Sequence, residues 1–138
     1  MLIALALILA STAPASGAVT IVNSGSTNMA GYTLRALPNG DVSTGEGANA
    51  QRHVAPALTQ RLFRDLQAAG ALDRMSATSC MKSASFGSWT RLTYRGATSP
   101  DLSCPSTSPA LRALAADAAA ITDAAGIRPT LRRRFPVP

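Results

Sequence analysis

The chain is 138 residues long and carries a formal net charge of +6, with 13 lysine and arginine residues against 7 aspartate and glutamate residues. This length holds one ordinary domain, and an aromatic content of only 4% predicts a thin core made largely of leucine, valine, isoleucine and alanine. One histidine and two cysteines are too few soft ligands for a zinc centre, so we expect no metal site.

Residues 1–18 have the pattern of a cleavable secretory signal peptide. The unbroken apolar run at residues 2–10 is shorter than the roughly 20 residues that a membrane-spanning helix needs. Ser16, Gly17 and Ala18 then place small side chains where signal peptidase cuts, so we expect cleavage after Ala18 and a periplasmic or secreted protein. No lysine or arginine precedes the run, which leaves a buried N-terminal helix or strand as the alternative.

Strand patterns open the mature chain. Residues 19–22 and residues 32–37 alternate between apolar and polar side chains, and the polar residues 23–28 lie between them as a loop. Residues 38–41 are a strong turn signal, because proline fixes its own φ and both asparagine and glycine tolerate positive φ. Residues 42–44 are therefore predicted to return as a short antiparallel strand.

Two amphipathic helices are marked by their end residues and by apolar stripes. Pro56 suits the first turn of a helix, where a missing N–H costs nothing. Apolar residues then recur at three- and four-residue steps up to Gly70, the predicted stop. Ser108 and Pro109 open the second helix as N-cap and first-turn residue, and Gly126 ends it.

A hairpin is predicted between the two helices. Two strand-like runs, residues 82–86 and 89–95, flank Gly87 and Ser88, which favours a tight turn. In residues 89–95, the face that carries Leu92 is predicted to face the core. The opposite face of that run carries Trp89, Arg91, Thr93 and Arg95.

The order of these elements predicts an α+β fold. Helices do not alternate one-for-one with strands, which favours a small antiparallel sheet of about five short strands with two amphipathic helices packed on one face. Residues 19–126 are the predicted single globular domain, and no segment after the signal peptide is apolar enough to cross a membrane. Residues 127–138 are basic and punctuated by proline, and we expect a disordered tail there.

The two cysteines are predicted to form one disulfide. In an exported chain, Cys80 and Cys104 most simply pair with each other, which ties the base of the hairpin to the loop before the second helix. A catalytic or metal-binding thiol pair is the alternative, but the chain lacks a Cys-x-x-Cys spacing.

No pattern in the chain predicts a catalytic site or a cofactor. Ser79 and Lys82 fit the Ser-x-x-Lys nucleophile motif of penicillin-recognising enzymes, but the accompanying Lys-Thr-Gly element is absent. His53 is the single histidine and lies in a polar stretch before the first helix, where a solvated side chain is the commoner finding. A small hydrolase that uses His53 or Ser79 is the alternative to a non-enzymatic protein.

The best candidate for a binding surface combines aromatic and basic side chains, the composition of interface anchors. Its members are Trp89, Arg91 and Arg95 on one strand face, with Arg61 and Arg64 on the first helix. The alternative is a plain solvent face, with arginine used in place of lysine because of base composition. The polar residues 23–28 offer a second set of groups, either to cradle a sugar or an anion or to cap their own turn.

These patterns predict a non-enzymatic periplasmic or secreted binding module. The positive net charge favours an acidic protein or an anionic envelope component as partner, and nothing indicates a specific nucleic acid. Arginine pairs with carboxylate and phosphate groups through a planar fork, which suits both classes of partner.

Four segments of the chain resemble small exported proteins of Gram-negative soil bacteria. They are residues 23–28, residues 31–32, residues 80–87 (Cys-Met-Lys-Ser-Ala-Ser-Phe-Gly) and residues 99–105 (Ser-Pro-Asp-Leu-Ser-Cys-Pro). The resemblance covers most of residues 19–125 and leaves the arginine-rich tail outside. It implies export and the disulfide between Cys80 and Cys104, and it implies no activity, because none is attached to that group.

Overall fold

A computed structural model describes residues 17–45 and 50–132. Residues 1–16, which contain most of the predicted signal peptide, lie outside the described residues, as do residues 46–49 and the end of the predicted tail, residues 133–138. Within the described ranges, two α-helices pack on one face of a six-stranded antiparallel sheet. The predicted α+β fold is confirmed, with one strand more than expected.

Six strands form the sheet: β1 (Val19–Asn23), β3 (Tyr32–Ala36), β4 (Asp41–Thr44), β5 (Gln51–His53), β6 (Thr90–Tyr94) and β7 (Ala97–Thr98). Their order is β5-β4-β3-β1-β6-β7, and every neighbouring pair is antiparallel. A separate two-stranded ladder joins β2 (Met29–Ala30) to β8 (Thr130–Leu131). The first strand of the domain therefore lies inside the sheet, between β3 and β6.

Alternation along the strands directs one face of the sheet into the core. Ile21, Leu34 and Leu92 occupy matching register positions on β1, β3 and β6, and all three are fully buried. A strand period of two places their sequence neighbours on the opposite face, where Arg35 is exposed and Thr93 is half-buried. The sheet therefore has one core face and one open face.

The helices α1 (Pro56–Ala69) and α2 (Pro109–Ala124) cover the core face of the sheet. Both begin with proline in the first turn, as predicted, and the hydroxyl of Ser108 accepts a hydrogen bond from the N–H of Leu111 at 3.4 Å. The apolar residues that the helices bury are Leu62, Phe63, Leu66, Leu111, Leu114, Ala118 and Ile121.

The structure differs from the sequence prediction just before β6. Residues 82–86 are not a strand: the N–H of Gly87 donates to the carbonyl of Ser83 at 2.6 Å and closes a turn. The hairpin partner of β6 is β7, across Arg95 and Gly96, which both have positive φ (51° and 79°). Two consecutive positive φ angles define the turn that best suits a two-residue hairpin, whereas serine and alanine have little preference for strands.

Residues 127–132 have defined positions, although the sequence pattern predicts a disordered tail there. Ile127 packs against the core, β8 pairs with β2, and the N–H of Arg132 donates to the carbonyl of Asn28 at 2.8 Å. A two-residue strand shows no periodicity of its own, and its partner is distant in sequence, so no local pattern indicates it.

The predicted disulfide is present, with the Cα atoms of Cys80 and Cys104 5.5 Å apart. It joins the irregular segment that follows a short 3-10 helix (Leu72–Arg74) to the loop before α2. Cys104 is buried and Cys80 is half-buried. Across the described residues, we find no helix with the length and apolar character needed to cross a membrane.

Replacing both cysteines with serine should lower the free energy of unfolding by about 3 kcal/mol, because the crosslink restricts the unfolded chain. Urea denaturation at pH 7, with and without dithiothreitol, measures this loss. The wild-type protein should lose the same amount on reduction, and the Cys80→Ser/Cys104→Ser protein should not respond to the reductant. A double variant as stable as the oxidised wild type would contradict the expectation.

Candidate functional site

The large apolar side chains that are exposed in the described ranges all lie at one end of the molecule. They are Met81 (102% exposed), Leu131 (70%), Phe86 (60%) and Trp89 (37%). Met81, Phe86 and Trp89 lie in one short segment directly before β6. Leu131 reaches the same end because β8 pairs with β2, and the N–H of Asn28 just before β2 donates to the carbonyl of Ser85 at 3.1 Å. We call the surface formed by these four side chains the apolar end.

The polar loop after β1 holds the segment that carries the two aromatic residues of the apolar end. The N–H of Ser24 donates to the carbonyl of Trp89, and the hydroxyl of Ser24 accepts from the Trp89 N–H, each at 3.0 Å. The hydroxyls of Ser26 and Thr27 donate to the backbone carbonyls of residues 85 and 84, at 2.7 and 3.1 Å. These hydroxyls are therefore occupied inside the protein and do not form an open cradle for a sugar or an anion.

Asn23 connects the same loop to β6. Its side-chain amide donates to the hydroxyls of Ser88 and Thr90 at 3.1 and 3.0 Å, and its side-chain oxygen accepts from the N–H of Gly25 at 2.9 Å. Gly25 has a φ of +63°, and a Cβ atom there would collide with the backbone of Gly31. Both the backbone conformation and the available space exclude a side chain, so the loop has one shape.

The carboxylate of Asp101 supports the apolar end from the other side of β6. One oxygen accepts from the N–H of Thr90 at 3.0 Å and from the N–H and hydroxyl of Ser103 at 2.9 and 2.6 Å. The other oxygen lies 3.0 Å from the ammonium of Lys82. Burial raises the pKa of Asp101, but these hydrogen bonds, led by the Ser103 hydroxyl, outweigh burial and lower the pKa to about 2.

Lys82 does not have the geometry of a Ser-x-x-Lys nucleophile site. Its ammonium contacts the carboxylate of Asp101, the hydroxyl of Ser103 and, at 2.8 Å, the carbonyl of Ser88, and Ser79 is not among its partners. Lys82 therefore joins the segment before β6 to Asp101 and Ser103, and it is not placed to activate the hydroxyl of Ser79.

His53 and Ser79 lie at opposite edges of the sheet. His53 belongs to the edge strand β5, and its Nδ1 lies 2.9 Å from Oδ1 of the exposed Asp41. Ser79 lies beyond β6, beside the loop that contains Asp101. Four strand spacings separate β5 from β6, roughly 19 Å, so the two residues do not meet at one substrate atom. Among the described residues, no group of three or more His, Cys, Asp or Glu side chains is placed to hold a metal ion.

The structure separates the strand residues of the predicted binding surface. The guanidinium of Arg91 lies 5.0 Å from the centre of the Trp89 ring, at the apolar end. Arg95 stacks on Tyr94 at the same distance but at the far end of β6, about 20 Å along the strand from Trp89. Trp89 and Arg91 therefore belong to one surface, and Arg95 belongs to another.

The helix residues of the predicted surface lie in the layer on the core face of the sheet. Arg61 forms an ion pair with Asp117 of α2, whose side chain is buried and whose second oxygen has no partner among the described residues. Burial and the nearby Asp65 raise the pKa of Asp117, and Arg61 opposes both effects. Arg64 is exposed and makes no ion pair with any described residue. Arg61 thus has a partner within the fold, in the layer of helices that covers the core face.

Sequence reasoning missed three members of the apolar end. The sequence pattern predicts a strand at Phe86 and a disordered tail at Leu131, and it assigns Met81 no contact of its own. One signal was available: Met81 and Phe86 lie five residues apart among serine and alanine residues, a spacing that places them on one face of neither a strand nor a helix. Such isolated apolar residues have no core face to join.

Comparison of the chain with protein-family models, with curated proteins and with solved structures finds no match. The function must therefore be inferred from the site itself. Residues 23–28, 31–32, 80–87 and 99–105 meet at the apolar end or directly support it.

Asp101→Asn should lower the free energy of unfolding at pH 7 by about 2 kcal/mol, because the folded state loses a carboxylate whose pKa is lowered to about 2. A lowered pKa stabilises the fold above the ordinary carboxyl pKa, and this stabilisation disappears as the pH falls from about 4 to 2. Urea titrations across this range should show the two proteins converging in acid. Asp123→Asn, on the exposed side of α2, removes the same charge and should change stability at pH 7 by less than about 0.5 kcal/mol. Parallel profiles for Asp101→Asn and wild type would contradict the role of Asp101.

Arg61→Ala should lower the free energy of unfolding by about 1–3 kcal/mol, because it leaves the buried Asp117 carboxylate without its partner. Arg64→Ala removes the same charge from the same helix and should change stability by less than about 0.5 kcal/mol. Thermal and urea unfolding at pH 7 compare the two variants. Equal effects would show that the ion pair with Asp117 does not stabilise the packing of the helices.

Proposed function

We propose that the protein is a non-enzymatic, periplasmic or secreted binding module whose partner is a protein that docks on the apolar end. The observation that carries the proposal is the position of the exposed large apolar side chains, which all lie at this end in the described ranges. Methionine, aromatic residues and arginine are enriched at the centres of protein interfaces. An exposed apolar patch with a polar rim is the usual mark of such a surface.

The charges around the apolar end favour an acidic partner. Arg91 lies against Trp89. The exposed Arg132 follows Leu131 at the end of β8, where its N–H donates to the carbonyl of Asn28. Asp101, the carboxylate that supports this end, is already paired with Lys82. Arg91 can thus meet a carboxylate of a partner, which a guanidinium binds through two parallel hydrogen bonds. The Nε of Arg132 donates to the carbonyl of Ser26 at 3.2 Å, which orients the rest of its guanidinium for a second carboxylate.

A protein partner is favoured over an anionic envelope lipid because the described part of the apolar end consists mainly of apolar and aromatic side chains. Each arginine near an anionic membrane surface contributes about 1 kcal/mol. Within the described residues, Arg91 and Arg132 together supply only about twice that amount by charge. Methionine and aromatic side chains on supported loops suit the complementary surface of a protein.

Two features support an extracytoplasmic location. Small exported domains are commonly crosslinked, whereas cytosolic thiols are kept reduced, and the chain carries the Cys80–Cys104 disulfide. The apolar run and the small residues within residues 1–18 are typical of a signal peptide.

The test places a photo-crosslinking amino acid at Phe86 and, as a control, at Arg64 of the exported protein. We expect a crosslinked protein partner at position 86 and none at position 64. Trp89→Ala combined with Arg91→Ala should then weaken binding of that partner about thirtyfold or more, because central aromatic and arginine anchors contribute about 2 kcal/mol or more. Binding should also weaken as sodium chloride is raised, as charge pairs are screened.

Arg95→Ala is the matched control, because Arg95 also stacks on an aromatic ring at 5.0 Å and its loss changes the net charge equally. It should leave the affinity within about twofold of wild type. Equal effects of Arg91→Ala and Arg95→Ala would contradict the assignment of the surface. Binding to anionic vesicles with the same dependence on Trp89 and Arg91, without a protein crosslink, would replace the protein partner with an envelope component.

A further inference from the structure

Residues 76–82 form an exposed segment whose backbone is unpaired. None of their N–H or C=O groups makes a hydrogen bond with a described group. Burial alternates over residues 77–81, since Thr78 and Cys80 are half-buried whereas residues 77, 79 and 81 are exposed. An alternation with a period of two is that of an extended chain. The segment is therefore an extended peptide whose backbone lacks a partner strand.

Three ties hold this extended segment against the loop before α2. The hydroxyl of Thr78 donates to the backbone carbonyl of Asp101 at 2.6 Å, Cys80 is bonded to Cys104, and the ammonium of Lys82 lies 3.0 Å from the Asp101 carboxylate. Because the ties fall on alternate residues, they fix one side of the segment and leave the other side to solvent. The side chains on the solvent side are Ala77, Ser79 and Met81.

The solvent side of the segment has a simple pattern, with two small residues followed by one large apolar residue. Met81 is fully exposed, and the backbone on both sides of it keeps its hydrogen-bonding groups free. A protein that binds such a segment needs a narrow groove, a strand edge that pairs with the free backbone, and one deep apolar pocket.

We propose that residues 77–82 bind in the substrate cleft of an extracellular endopeptidase, with Met81 in a pocket for an apolar side chain. The segment is internal, so the chain leaves the cleft at both ends, which fits an endopeptidase rather than a site that captures a chain terminus. Fixing the peptide before binding removes the entropy cost of ordering it, which favours this segment over a flexible substrate. The inference rests on the proposed protein-binding function and names its partner class.

The same ties oppose cleavage next to Met81. Cys80 on one side and Lys82 on the other are both held to the loop before α2, and the turn between Ser83 and Gly87 follows at once. A peptide bond held between two fixed points resists the distortion that attack on its carbonyl requires. The segment therefore occupies the cleft as an inhibitor and is not released as product.

The experiment measures inhibition of chymotrypsin and subtilisin, two endopeptidases that accept large apolar side chains, by the purified, oxidised exported protein. We expect competitive inhibition of both enzymes. Trypsin, whose pocket needs a free lysine or arginine, should not be inhibited, because Lys82 is tied to Asp101. Met81→Asp should raise the inhibition constant on the order of 100-fold or more, whereas Met81→Leu should stay within about fivefold of wild type.

Because Met81 is fully exposed, its variants should unfold at the same urea concentration as wild type. Arg95→Ala, at the far end of β6, should leave inhibition unchanged. The inference is overturned if neither enzyme is inhibited, if Met81→Asp inhibits as well as wild type, or if the protein is simply cut beside Met81 at the rate of the reduced chain. If neither enzyme is inhibited but the crosslink at Phe86 still forms, the proposed function stands and only the partner class is wrong. If neither inhibition nor the crosslink is observed, both proposals are wrong.

Discussion

The arrangement of the apolar end depends on one carboxylate, that of Asp101. Its two oxygens join three parts of the chain: the segment before β6 through Lys82, β6 itself through the N–H of Thr90, and the loop before α2 through Ser103. Hydrogen bonds to an ionised acceptor are roughly twice as strong as neutral ones. The disulfide at Cys104 lies three residues further on, so a covalent bond and an ionic network fix the same junction.

The helices and main strands follow from the sequence because their signals are local. Pro56 and Gly70 bound α1 where the structure has it, and the pair Ser108 and Pro109 opens α2. Leu92 was predicted to face the core and is fully buried. The disulfide was equally accessible to sequence reasoning, because two cysteines allow a single intramolecular pairing.

The apolar end escaped prediction because contacts between residues distant in sequence build it. Ser24 and Trp89, which exchange two hydrogen bonds, are 65 residues apart. By composition, residues 23–28 are typical of a solvated loop. Only the three-dimensional structure shows that their hydroxyls form hydrogen bonds with the segment before β6. The period of two in residues 77–82 was also hidden, because the ties that alternate with exposed residues involve Asp101 and Cys104.

Two aromatic residues, Trp89 just before β6 and Tyr94 at its end, show how the apolar end differs from the core. Tyr94 packs edge-on against Phe63 of α1, with ring centres 5.6 Å apart, and Arg95 stacks on its ring. Trp89 has the same kind of arginine neighbour but lies an odd number of residues away, so strand alternation places it on the other side. The helices cover only the core side, and the loops beside Trp89 are polar and already hydrogen-bonded. Among the described residues, the ring of Trp89 has only the Arg91 guanidinium stacked on it, which leaves this side of the residue open to the partner proposed above.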